Sequence, residues 1–176
     1  MKTNIALIGF MGVGKTAVGK VLAEKLGRSF VELDSLIEQK AGKSIPDVFQ
    51  QDGETAFREL EIEVAKEVSK GRNLVIACGG GLVLNKINID RLRQQSRIVY
   101  LTASLGAILK RVSGEAGERP LLKLASRALN VRELLGFRKP FYERAADITI
   151  DTSKLDIDSV AERIIEKLKE DEDFRL

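Results

Sequence analysis

Glycines at positions 9, 12 and 14 are followed at once by Lys15 and Thr16. The run Gly9-Phe10-Met11-Gly12-Val13-Gly14-Lys15-Thr16 fills every fixed position of the pattern G-x-x-x-x-G-K-[ST]. Glycines leave backbone N–H groups free to converge on phosphate oxygens, and a helix starting here adds positive partial charge. In this chemistry the backbone of Gly12, Val13, Gly14 and Ala17 cradles phosphates. Lys15 reaches the β- and γ-phosphates, and the Thr16 hydroxyl ligates magnesium. The flanks agree. Ile5-Ala6-Leu7-Ile8 is an apolar run suited to a buried parallel strand, and Val18, Val21, Leu22 and Leu26 recur at helical spacing.

Five further places carry residues with chemical potential. Glu32-Leu33-Asp34 ends a second apolar run, where a carboxylate would hold magnesium or take a proton from a hydroxyl. Asp34 is equally well placed to cap a helix. Arg58 lies in the opening turns of a helical pattern, where ordinary helix electrostatics disfavour a cation. It reads as a bidentate carboxylate holder or as a partner of Glu54 or Glu61. Gly79-Gly80-Gly81 follows a third apolar run and permits close approach of backbone to a ligand, or is a plain flexible loop. Cys78 beside it reads as a small core residue. The stretch 111–122, with Gly114, Gly117, Arg119 and Pro120, reads as a mobile flap that brings Arg119 onto phosphates. Arg138-Lys139-Pro140 interrupts a helical pattern. A kink there would aim Arg138 into a cleft, and a surface arginine is the plainer reading.

The elements that must position these residues alternate along the chain. Strands are predicted at 4–9, 29–33, 74–77, 98–101 and 147–150. Helices are predicted near 15–26, 34–41, 54–70, 87–95, 104–112, 125–144 and 157–170. In the third of these helices Phe57, Leu60, Val64 and Val68 form the inward stripe, with Glu61, Lys66 and Glu67 outward. Strand–helix alternation implies a parallel sheet covered on both faces, with ligands beyond the strand C-termini. The 176 residues suit one domain, 1–176. The acidic end, about 170–176, is expected to fray into solvent.

Composition removes several classes of function. With 29 basic and 26 acidic residues the net charge is +3, too near balance for a nucleic-acid footprint. The lone cysteine fits a reducing cytoplasm, and the absence of histidine excludes a histidine triad or zinc site. No apolar run reaches membrane-spanning length, and neither a signal peptide nor a membrane partner is expected.

Taken in order, these segments resemble shikimate kinases, small members of the nucleoside-monophosphate-kinase-like branch of P-loop proteins. The resemblance runs through the glycine-rich loop, Phe30-Val31-Glu32-Leu33-Asp34, Gly53-Glu54-Thr55-Ala56-Phe57-Arg58, Gly79-Gly80-Gly81, Arg119-Pro120-Leu121-Leu122 and Arg138-Lys139-Pro140-Phe141-Tyr142. It implies a three-layer α/β/α P-loop kinase with a five-stranded parallel sheet. A mobile lid would span about 112–124 and an acceptor-binding helical segment about 34–60. The implied reaction is ATP- and Mg2+-dependent phosphorylation of the shikimate 3-hydroxyl, in aromatic amino acid biosynthesis, by a cytoplasmic monomer. Position by position, Asp34 would orient or deprotonate the hydroxyl. Arg58 and Arg138 would clamp the carboxylate, with backbone contacts from the glycines at 79–81. Phe49 and Phe57 would wall the acid pocket, Arg111 would lie beside adenine, and Arg119 would touch phosphates. The family usually has Asp where this chain has Glu32, a position that helps hold magnesium through water; Glu keeps the charge with one more methylene. The alternatives are a kinase of gluconate or a nucleoside monophosphate, or a non-catalytic nucleotide-binding regulatory module.

Overall fold

The computed structural model describes the backbone of residues 1–113 and 121–176, and the side chains of 1–112 and 127–176. Five strands form one sheet: β1 (Asn4–Ile8), β2 (Ser29–Glu32), β3 (Leu74–Ala77), β4 (Ser96–Thr102) and β5 (Ile148–Asp151). Their order across the sheet is β2-β3-β1-β4-β5, and every pairing is parallel. All five residues of β1 are buried. Since successive side chains point to opposite faces, a wholly buried strand requires cover on both sides.

That cover comes from α1 (Lys15–Leu26), α2 (Leu33–Ala41), α3 (Ile45–Gln51), α4 (Gly53–Val68), α5 (Lys86–Gln95), α6 (Leu105–Ser113), α7 (Leu121–Ala145) and α8 (Ile157–Lys169). α1 packs on α8, while α5 bridges α4 and β4, and α7 also reaches β4. Gly14 caps the start of α1 at φ 96°, a conformation that favours glycine. No helix among the described residues is long and apolar enough to cross a membrane.

Three expectations are corrected. α3 was not predicted, although Ser44 accepts from the Asp47 backbone N–H and Pro46 sits in its first turn, both helix-start signals. Glu61 does not face outward: it is 1% exposed on α4. The C-terminal tail does not fray, because Phe174 is buried and the backbone around it pairs with Lys2. Asp171 and Asp173 both pair with Arg97.

The register places the site. Leu7 and Glu32 both pair with Ala77, one from each side of β3. The glycine-rich loop, the Glu32-Leu33-Asp34 corner and the glycine run at 79–81 therefore leave the sheet side by side. All three lie at the C-terminal edge, where open α/β sheets bind ligands.

Candidate active site

A cleft of about 430 Å³ opens at this edge, lined among others by Lys15, Thr16, Glu32, Asp34, Gly80 and Arg138. Gly12, Gly14, Ala17 and Gly79 also border it. Val13 is buried beneath the loop. Lys15 Nζ donates to the carbonyls of Gly9 at 2.6 Å and Phe10 at 2.9 Å. Burial lowers the Lys15 ammonium to about 8, with Cys78, Asp34 and Glu32 opposing the shift. Cys78 is buried, and the same desolvation pushes its thiol up to about 12, which leaves it a packing residue.

Thr16 Oγ1 donates to Glu32 Oε1 at 2.8 Å. A hydroxyl whose proton is engaged this way presents its lone pairs elsewhere. No cluster of three carboxylate, cysteine or histidine groups stands ready for a cation among the described residues. One hydroxyl and one carboxylate suit magnesium, which takes few protein ligands and completes its shell with phosphate oxygens and water.

Asp34 does not cap its helix. The N-cap of α2 is Glu32, with no side-chain cap bond, and Asp34 stands in the first turn. Its carboxylate instead faces the glycine run. Burial raises its affinity for a proton, Glu32 and Glu38 add to the effect, and Lys15 and Arg58 oppose it.

The three glycines each back onto a different charged group. A Cβ on Gly79 would lie 2.8 Å from Asp34 Oδ1. One on Gly80 would lie 3.3 Å from Arg138 Nη1, and one on Gly81 2.6 Å from both terminal nitrogens of Arg58. None of the three has positive φ, so the requirement is close approach rather than an unusual turn. A loop with side chains here would hold the carboxylate and two guanidiniums apart.

Arg58 is also paired within its helix. Its Nη1 lies 2.9 Å from Glu61 Oε1 and its Nη2 3.6 Å from Glu54 Oε1. Burial raises the Glu61 carboxyl above its ordinary value, while Arg58 pulls it down. The Phe49 and Phe57 rings stand 4.6 Å apart, and the Arg58 guanidinium lies 5.2 Å from the Phe57 ring. Arg138 is not a surface residue. α7 runs on through Pro140, and Arg138 lines the cleft. Its Nε is buried with no acceptor among the described residues.

At the other end, Arg111 Nη1 donates to Gly12 O and Thr152 Oγ1, both at 3.1 Å, and Nη2 to Thr152 O at 3.0 Å. The buried Thr152 hydroxyl also lies 3.3 Å from Val13 O and 3.0 Å from Thr102 O. Arg119 and most of the expected lid at 112–124 lie outside the described residues. Sequence reasoning missed Thr152 and Tyr142 as parts of this site, whereas Glu61, which it offered as a partner of Arg58 but set on the outward face, is that partner. Glu61 falls four residues after Phe57 and three before Val64, a spacing that already places it on the inward face.

The family model described as shikimate kinase matches residues 11–169. A shikimate kinase of Symbiobacterium thermophilum is 42% identical over 168 residues, covering 95% of this chain and 97% of the relative. One from Caldanaerobacter subterraneus is 46% identical over 162 residues, covering 92% and 94%. The solved shikimate kinase from Acinetobacter baumannii, in complex with shikimate, superposes with a TM-score of 0.88 at 37% identity. That match covers 98% of this chain and 96% of the solved one.

Proposed function

The chain belongs to the shikimate kinase family, and we propose that it transfers the γ-phosphoryl group of ATP to the 3-hydroxyl of shikimate, giving shikimate 3-phosphate and ADP. The observation that carries this reading is the convergence of Asp34, Arg138 and Arg58 on three consecutive glycines. Two guanidiniums beside one carboxylate suit a small acid with a hydroxyl on the far side of its ring.

In this reading Arg58 and Arg138 hold the acid's carboxylate, and the buried Arg138 Nε supplies a donor for it. Phe49 and Phe57 border the ring, while Gly79, Gly80 and Gly81 let its polar groups approach the backbone. Asp34 accepts the hydroxyl proton as the oxygen bonds to the γ-phosphorus and the bond to the β-phosphate bridge breaks. Its raised proton affinity suits that task. Lys15 and the loop amides of Gly12, Val13, Gly14 and Ala17 hold the phosphates. Thr16, with Glu32 beside it, would hold magnesium, which neutralises charge across the β- and γ-phosphates. Arg111 borders the adenine end, and Arg119 is assigned phosphate contact by its match to the family motif. The reading takes the protein to act as a monomer. A single buried thiol agrees with a cytoplasmic setting.

The test is purified protein with ATP, magnesium and, in turn, shikimate, gluconate and nucleoside monophosphates. Phosphorylated shikimate as the preferred product is expected. Product from another acceptor and none from shikimate would overturn the reading, and no product from any would favour a regulatory module.

A further inference from the structure

Tyr142 is 0% exposed and stands four residues after Arg138 on α7, on the same helical face. Its hydroxyl donates to the Gly80 carbonyl at 2.5 Å, and a Cβ on Gly80 would lie 3.8 Å from that hydroxyl and 3.3 Å from Arg138 Nη1. A hydroxyl that gives its one proton to Gly80 keeps lone pairs that can face a donor-only guanidinium. The ring is locked by a stacked partner, Tyr100, with centroids 5.0 Å apart and planes 22° apart. Pro140 lies between Arg138 and Tyr142 and can donate no backbone hydrogen bond. This turn therefore depends more than others on side-chain ties.

We propose that Tyr142 is a positioning residue for the acceptor acid, with its hydroxyl setting the spacing between the Arg138 guanidinium and the Gly80 backbone. The inference rests on the acceptor reading above. Arg138 and Gly80 reach the cleft from separate segments, and the Tyr142 hydroxyl holds the Gly80 carbonyl where Arg138 Nη1 comes close to that glycine. A phenylalanine would fill the same space and keep the stack, so what it removes is the hydroxyl's bond to Gly80 and the oxygen that stands near the guanidinium. Burial pushes that hydroxyl up to about 12, which keeps its proton in place through the neutral range.

A purely structural role would show differently. Losing a buried hydrogen bond lowers the melting temperature and the folded fraction, but KM does not depend on how much enzyme is folded. Y142F is expected to raise the KM for shikimate by roughly three- to tenfold, the scale of one lost buried hydrogen bond. The KM for ATP should stay at its wild-type value, and kcat should fall less than the shikimate KM rises. Y100F, which alters the facing ring, should leave the shikimate KM unchanged. Equal KM values in Y142F and wild type would overturn the proposal.

A second measurement needs no variant at position 142. The chain has only two tyrosines, so biosynthetic 3-fluorotyrosine gives two fluorine signals, assigned with Y100F. Shikimate should move the Tyr142 signal more than ATP does, and a Tyr142 signal insensitive to shikimate would sink the idea. Wild-type enzyme that does not phosphorylate shikimate overturns the acceptor reading itself. Turnover with an unshifted Y142F KM overturns only the role of the tyrosine.

Discussion

Arg58 and Glu61 are joined one turn apart on α4 by a 2.9 Å ion pair, and the carboxylate side of that pair is almost wholly buried. The pair fixes the guanidinium against Gly81 before any acid arrives, so Arg58 is preorganised by a charge of its own helix. A buried carboxylate is costly unless paired, which ties Glu61 to Arg58 as strongly as the reverse.

Glu61→Gln should therefore loosen Arg58 and raise the shikimate KM severalfold, with the ATP KM unchanged. It should also change how stability responds to pH. Burial raises the Glu61 carboxyl in the folded state, with Arg58 opposing. The folded chain thus takes up that proton before the unfolded chain does, and gains relative stability as pH falls from the raised value toward the ordinary carboxylate range. The variant lacks this gain. Its melting temperature minus that of wild type should be largest at neutral pH and shrink in acid. A gap that stays constant with pH would mean that Glu61 does not titrate in the folded protein.

If the proposed roles of Arg58 and Asp34 hold, the glycine run separates binding from turnover. Gly81→Ala places a methyl 2.6 Å from Arg58, and Gly79→Ala places one 2.8 Å from Asp34. Backbone strain is not at issue, as neither glycine has positive φ. Gly81→Ala should raise the shikimate KM by about tenfold, equivalent to about 1.4 kcal/mol. Gly79→Ala should lower kcat more than it raises KM. Steady-state kinetics on both variants decides the matter, and identical profiles would argue that the run acts only as a flexible loop.

Glu32 accepts the Thr16 hydroxyl proton and contributes charge near the phosphate loop. Glu32→Gln keeps an oxygen for that hydrogen bond and removes the charge. The free magnesium needed for half-maximal rate should rise, while the shikimate KM should barely move. An unchanged magnesium dependence, measured at fixed ATP, would confine Glu32 to orienting Thr16.

Phe174 packs against Arg28, 4.9 Å from its ring, and is 6% exposed. Phe174→Ala should cost about 2–4 kcal/mol, at or below the usual loss for a buried phenylalanine because the site is near the chain end. Denaturant unfolding would read that loss, and the KM values should stay put. A variant as stable as wild type would return the tail to the frayed state that its composition suggests.

That tail shows where sequence reading stops. The glycine-rich loop, the five strands and the carboxylate at the end of β2 were legible because their signals are local: spacing, apolar runs, turn residues. Asp171 and Asp173 looked like solvated charge because Arg97, which holds them, lies far away in sequence. Glu61 was misplaced because its charge outweighed its period, although its spacing from Phe57 and Val64 pointed inward. Tyr142 became visible only once α7 and the glycine run after β3 were side by side. Pro140, read as an interruption that would kink a helix, lies inside α7, which packs on β4 and on the 3-10 turn at Leu82–Leu84.

In the proposed reaction Asp34 is the residue on which the chemistry turns. Its side chain caps no helix, faces the glycine run and holds its proton more tightly than an ordinary aspartate because it is buried. Asp34→Asn keeps the shape and a hydrogen bond to the acceptor hydroxyl but removes the proton acceptor. kcat should fall by roughly 10²- to 10⁴-fold, the usual contribution of a general base. The shikimate KM should change much less, because the two arginines still hold the carboxylate. Loss of binding with preserved kcat would instead make Asp34 a docking group, and some other group would have to take the proton. Single-turnover measurement of shikimate 3-phosphate, alongside equilibrium binding of shikimate to the same variant, separates the two outcomes.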